Sequence, residues 1–247
     1  MSAERDYSIQ LLRGTIGNLQ CRRRQQDFVL NEAEHAYLQA TAAGAALAGM
    51  GASAIGLIQS SANSEEEADW VEFELDGKPV QGWLWKMPMR NGDEVEAVAE
   101  QRPDGRYFAY SIRRPRDNML AVYPHATRGR SALFGWLTKI MLVTWAVCSG
   151  IVSLFMFRDH AGVDSATHTI VMASAWAMAL LVFGILFYRA YLKMRRFARL
   201  AELIFAGYGW PGVRNIDLVR ASKQDRPDKR DADYGVNHFR YRSGGGA

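Results

Sequence analysis

Ile140–Phe157 reads IMLVTWAVCSGIVSLFMF, and Thr169–Tyr188 reads TIVMASAWAMALLVFGILFY. Neither stretch contains Asp, Glu, Lys or Arg. A bilayer core about 30 Å thick is crossed by about 20 apolar helical residues. Extended to 135–157 and 168–189, both runs qualify as spans of one hairpin over 133–189. The core helix of a soluble protein passes the same length test. Two such runs joined by the short Arg158–His168 connection match a transmembrane hairpin better.

Orientation follows from the cations around the spans, because cytoplasmic flanks carry the excess of Lys and Arg. Arg128, Arg130 and Lys139 border the first span, and Arg189, Lys193, Arg195, Arg196 and Arg199 follow the second. The connection holds only Arg158. The expectation is a multi-pass inner-membrane protein with both termini cytoplasmic. Trp136, Tyr188 and Tyr191 stand near the expected cytoplasmic interface, where amphipathic rings prefer to lie. The membrane-interface candidates are therefore Arg128, Arg130, Trp136, Tyr188, Arg189, Lys193, Arg195, Arg196 and Arg199, with anionic lipid headgroups as their partners. The formal net charge of +4 is modest and its cations gather beside the spans, so no nucleic-acid partner is expected.

Small residues recur four apart: Ala146 and Gly150, Ser149 and Ser153, Ala173 and Ala177, Ala175 and Ala179. Such faces allow close helix approach in lipid and permit homo-oligomers. Neither span carries an acid, which ranks ion-coupled transport low. Beyond the second span, Met194, Phe197, Leu200, Ala201, Ile204 and Phe205 form a helical apolar stripe. Residues 190–210 thus read as a basic juxtamembrane helix, lying on headgroups or packed against the preceding domain. Gly207, Gly209, Trp210 and Pro211 end it. Residues 211–247 read as a charged tail finishing in Gly-Gly-Gly-Ala.

Upstream the period changes to two. In Trp70-Val71-Glu72-Phe73-Glu74-Leu75 the apolar residues share one face and the carboxylates the other, the pattern of a half-buried strand. Asp76-Gly77, Asn91-Gly92 and Asp104-Gly105 are turn signals. Val80–Trp85, Glu94–Glu100, Arg106–Ile112 and Met119–Tyr123 are the strands between and after them. Ile9–Leu19 and Gln26–Leu30, flanking Arg22–Arg24, predict an N-terminal hairpin whose arginines sit in a solvated turn or touch phosphate. Residues 1–126 therefore predict a small cytoplasmic β barrel or sandwich, and the chain an α+β membrane protein. Within it, 31–64 is an Ala/Gly-rich helical insertion. Its segment 37–60 is uncharged and could lie on the membrane, pack under the barrel or insert conditionally. Glu65–Asp69 would follow as a solvated acidic patch.

Catalytic chemistry finds no foothold. Cys21 and Cys148 lie in unlike settings and predict no disulfide. Met1–Asp6 is polar, so no cleavable signal peptide is expected. His35, His125, His160 and His168 lack metal-ligand spacing, and no phosphate loop, nucleophile elbow or zinc-protease motif occurs. Asp93, Glu94 and Glu96 read as a solvated strand edge, and His125 as a structural histidine. No catalytic, cofactor-binding or metal residue is assigned, and no enzyme is expected.

The string Glu65–Val80 with Gly82-Trp83-Leu84-Trp85 resembles a proteobacterial family of type VI secretion system effectors. So do Gly92–Glu96, Tyr123-Pro124-His125 with Arg128-Gly129-Arg130, Arg199–Glu202 with Gly209-Trp210, and His238–Tyr241. The likeness extends over most of the chain, the spans diverging most, and transfers no catalytic residue. It implies a non-enzymatic effector acting on a target cell's inner membrane. Two other roles stay open: an immunity or accessory protein binding a toxin at the membrane, and an anchored scaffold.

Overall fold

The two-residue alternation that starts at Trp70 closes into a barrel. The computed structural model describes residues 9–26, 28, 66–158, 165–225 and 231–242. The Ala/Gly-rich insertion 31–64, with its segment 37–60, lies outside the described residues. Strands β1 (Ile9–Gln26), β2 (Glu66–Leu75), β3 (Lys78–Leu84), β4 (Glu94–Gln101) and β5 (Tyr107–Arg114) run in the order β3-β2-β1-β4-β5. Parallel pairing of β3 with β5 closes the ring. This is the Greek-key connectivity of small OB-type barrels. Two short strands, β6 (Met119–Val122) and β7 (Phe239–Arg240), extend the sheet from β5.

The expected N-terminal hairpin is corrected. Residues 9–26 form one strand of 18 residues, and Arg22, Arg23 and Arg24 lie in it opposite Trp70, Asp69 and Ala68. The strand serves two neighbours: Ile9–Thr15 pairs with β4, and Ile16–Gln26 with β2. A register shift at Gly17–Gln20, with Asn18 at φ 53°, bends it between them. Arg23 is satisfied by carboxylates of β2, at 3.0 Å from Glu67 and 3.1 Å from Asp69. The acidic patch is corrected with it: Glu66–Asp69 open β2, and Asp69 is buried, accepting from Arg23 and from the Met87 amide.

Val71, Phe73 and Leu75 point into the barrel as the alternation requires, beside Leu12, Ile16 and Ile112. Ala97, Ala99, Ala109 and Ala121 also point inward, small enough for a narrow ring. Asp76-Gly77 makes the β2–β3 turn with φ of 48° and 80°, the left-handed pair of a type I′ hairpin. Asp93 does not lie on a solvated edge. It is buried, 2.7 Å from Arg114, which also holds Asp117 at 2.7 Å.

Helix α1 (Arg130–Arg158) and helix α2 (Ser165–Gly207) follow. Both are long and apolar enough to cross a membrane, over Arg130–Leu154 and Thr169–Gly207, and only 6% of either apolar window is buried. The small residues do not build their seam. Ala146, Gly150, Ala173, Ala175 and Ala177 are exposed, and only Ser149, Ser153 and Ala179 are half-buried. The seam is larger: Leu133 and Leu137 of α1 against Phe187, Tyr191, Met194 and Ala198 of α2.

Of the two readings of residues 190–210, packing against the barrel is the one present. Helix α2 runs unbroken from the apolar span to Gly207. Ala201, Ile204 and Phe205 are buried against Val98, Phe108 and Leu120, on the outer wall of the barrel. Gly209 at φ 73° and the Trp210 N–H to Phe205 C=O bond of 3.0 Å end the helix. The described residues of the segment expected as a tail, 211–225 and 231–242, are folded: a 3-10 turn (Val213–Asn215), helix α3 (Leu218–Gln224) capped by Asp217, and β7. Leu218 and Phe239 are fully buried in the same outer core.

Candidate functional site at the barrel–span junction

The interface candidates separate into two groups. Arg128 and Arg130 are structural clamps. Arg128 Nε donates to Asp217 Oδ2 at 2.9 Å, and its guanidinium lies 4.5 Å from the Trp136 ring centroid. Arg130 Nη2 stands 2.8 Å from Glu202 Oε2, and its backbone N–H donates to Glu202 Oε1 at 2.8 Å. Glu202 thereby caps the amino end of α1 from the last turns of α2, placing a carboxylate at the positive helix end. Arg196 donates to the Phe28 carbonyl at 3.1 Å and sits over the Phe197 ring. Arg189, Arg195, Arg199, Trp136 and Tyr188 are exposed, and Lys193 is half-buried. These residues lie along the barrel ends of the two long apolar helices.

Sequence reasoning missed Glu202, Asp217, Trp85 and Lys223. Glu202 carried a signal, being the one acid in the basic run Lys193–Phe205. Asp217 carried another, as an Asp directly before an apolar helical start. Trp85 and Lys223 reach the junction only through tertiary folding.

At the junction the chain makes one unusual turn. His125, in Tyr123-Pro124-His125, has φ 64°. Its ring lies between Trp85 and Phe197, each at a centroid distance of 5.1 Å, and its Nε2 is 2.7 Å from Glu66 Oε2. Beside it opens a cavity of about 340 Å³. Trp85 and His125 form its barrel wall, Arg128 just ahead of α1 and Trp136 on α1 a second wall, Met194 its α2 wall, and Lys223 stands on α3. The cavity joins two cations and two indoles to an apolar floor.

Farther out, the β7 side is buried polar ground. His238 is buried with Nε2 at 3.2 Å from Asp231, and burial holds its imidazole below the ordinary value against Asp231 and Asp233. Asp233 pairs with Lys86, pinning the last segment to the loop after β3. Cys21 is a free thiol on the exposed stretch of β1, pushed up to about 11 by partial burial and by the Asp69 carboxylate. Among the described residues no three of His, Cys, Asp and Glu converge as a metal site.

Comparison with protein-family models, with curated proteins and with solved structures finds no match to this chain. The fold class thus rests on its own geometry: a closed five-stranded barrel packed onto a helix long and apolar enough to span a bilayer.

Proposed function

We propose that the chain is a two-span protein of the bacterial inner membrane, linked to type VI secretion, that acts at the bilayer without an enzymatic step of its own. Its termini and barrel face the cytoplasm, and the α1–α2 connection faces the periplasm. The excess of Lys and Arg at the barrel end of both helices supports the orientation. The resemblance of Glu65–Trp85 and the later motifs supports the type VI link.

The observation that carries the mode of action is the continuity of α2. One helix is a span at its start and part of the barrel's outer core at its end, with Ile204 and Phe205 fully buried. The barrel therefore holds one attitude to the bilayer, as a binding module at fixed height. Two roles use such a device. An effector would disturb a target cell's inner membrane through the hairpin. An immunity or accessory protein would hold its barrel ready for a toxin in the producer's own membrane, and the rooted helix favours this stable residence.

Reporter fusions at Ala247 and within residues 159–164 test the placement: activity on the cytoplasmic side for the first and the periplasmic side for the second is expected, and the reverse sinks it. Expression in place and expression directed to the periplasm, followed by growth and membrane potential, separate the roles. Depolarisation marks an effector, and protection from a co-expressed toxin an immunity protein. Neither effect would leave the anchored scaffold.

A further inference from the structure

We propose that the junction cavity is a binding site for the phosphate headgroup of one anionic phospholipid, taken sideways from the cytoplasmic leaflet. The inference rests on the membrane reading above.

Depth comes first. Lys139 on α1 and Arg189 on α2 are the charges that bound the uncharged runs, so they mark the edge of the hydrocarbon. At ~1.5 Å per helical residue, Trp136 lies about 4.5 Å and Met194 about 7.5 Å outside that edge. Headgroup layers occupy roughly 5–8 Å on each side of the hydrocarbon. The cavity therefore opens at headgroup depth.

Chemistry comes second. Arg128 is held from behind: its Nε is used by Asp217 and its plane rests on Trp136. Its two terminal nitrogens make no hydrogen bond among the described residues. A guanidinium fixed this way presents its outer donors to a phosphate with little ordering cost. Lys223 is exposed and makes no ion pair among the described residues, and it adds a second positive charge to the same cavity. Of the carboxylates nearby, Asp217 is engaged by Arg128 and the Arg220 amide, and Glu66 Oε2 lies behind the His125 ring, 2.7 Å from its Nε2, with neither of those two atoms in a hydrogen bond among the described residues.

Shape comes third. Leu133, Met194, Ala198, Val219 and Val236 supply an apolar floor, and Val236 is 56% exposed. That surface suits the glycerol and first methylenes of a lipid better than a free anion. A volume of about 340 Å³ is at the small end of ligand pockets, roughly 300–1,000 Å³, and fits a headgroup rather than a whole lipid.

The test is native mass spectrometry of the full chain in detergent, titrated with phosphatidylglycerol, phosphatidylcholine or inorganic phosphate. One saturable phosphatidylglycerol adduct is expected, with phosphatidylcholine weaker. Lys223→Glu should raise the half-saturating lipid concentration about tenfold, as the loss of one charged contact to an anionic headgroup. Lys78→Glu makes the same charge change at the far end of β3 and should leave it unmoved. Equal titrations for the two variants, equal binding of both lipids, or no saturable adduct would overturn the assignment. Displacement of the lipid by inorganic phosphate alone would reassign the site to a soluble phosphate ester. A chain that stays dissolved without detergent would show, before any lipid is added, that the membrane reading itself had failed.

Discussion

At residue scale, the barrel depends on positions where no atom can be added. A Cβ on Gly82 would sit 2.4 Å from the Ala109 carbonyl oxygen, across the parallel seam that closes the ring. Gly82→Ala should therefore cost about 1–3 kcal/mol, the usual range for overpacking, read by denaturant unfolding in detergent. The Asp93–Arg114–Asp117 cluster makes a different prediction. Burial raises both carboxyls, but the Arg90 amide and Arg114 lower Asp93, and Arg114 and the Met119 amide lower Asp117, leaving both below the ordinary carboxylate value. A depressed acid stabilises the fold above its unfolded value and loses that contribution as pH falls through the folded one. His238, held low by burial, also destabilises the fold as pH falls, but earlier, below its ordinary value of 6.5. The melting temperature should drop in two steps, first below about pH 6.5 and again below about pH 4. His238→Gln should remove only the first step, and a single-step profile in the parent chain would refute the account. Asp93→Asn, which leaves Arg114 with Asp117 as its remaining carboxylate, should cost about 1–3 kcal/mol. Little of this was legible beforehand. Asp93 in Gly92-Asp93-Glu94 reads as surface, because alternation cannot show that a turn folds its first acid inward onto an arginine twenty-one residues on.

At the scale of elements, α2 is the organising piece. Its apolar stripe Phe197, Ala201, Ile204 and Phe205 was plain in the sequence, but two surfaces could have received it. The barrel wins because Val98, Phe108 and Leu120 turn outward from their strands and would otherwise face water. Gly207 permits the close approach, since a Cβ there would meet Val98 Cγ1 at 2.9 Å. Phe205→Ala should destabilise the barrel by about 3–5 kcal/mol, as deletions of a buried aromatic do, while the membrane insertion proposed for α1 and α2 stays intact. Loss of insertion together with barrel stability would contradict the division between span and root. The β1 reading failed for a related reason. An Arg triplet between two apolar runs looks like a turn, yet Arg23 finds Glu67 and Asp69 across the strand pair. Local polarity cannot distinguish a solvated turn from a paired strand edge.

At the scale of the molecule, solvation decides. Leu154, Ile170, Met178 and Tyr188 are 60% or more exposed along helices that expose little else but apolar surface. Such a surface in water would drive aggregation, so the full chain should be extracted from membranes by detergent and resist high salt and carbonate; release by carbonate would count against spanning. Composition by itself determined the two apolar helices, the cationic collar and the alternating strands, since apolar runs, charge bias and period two are local properties of the chain. Tertiary structure alone decided that β1 is one bent strand shared by both halves of the ring. It also decided that Leu218–Gln224 and Phe239–Arg240 fold back onto the barrel as α3 and β7, and that Arg128, Trp136, Trp85 and Lys223 meet around one cavity. Those contacts join positions far apart in the chain, and their energy comes from burial and pairing between elements, which no local pattern records.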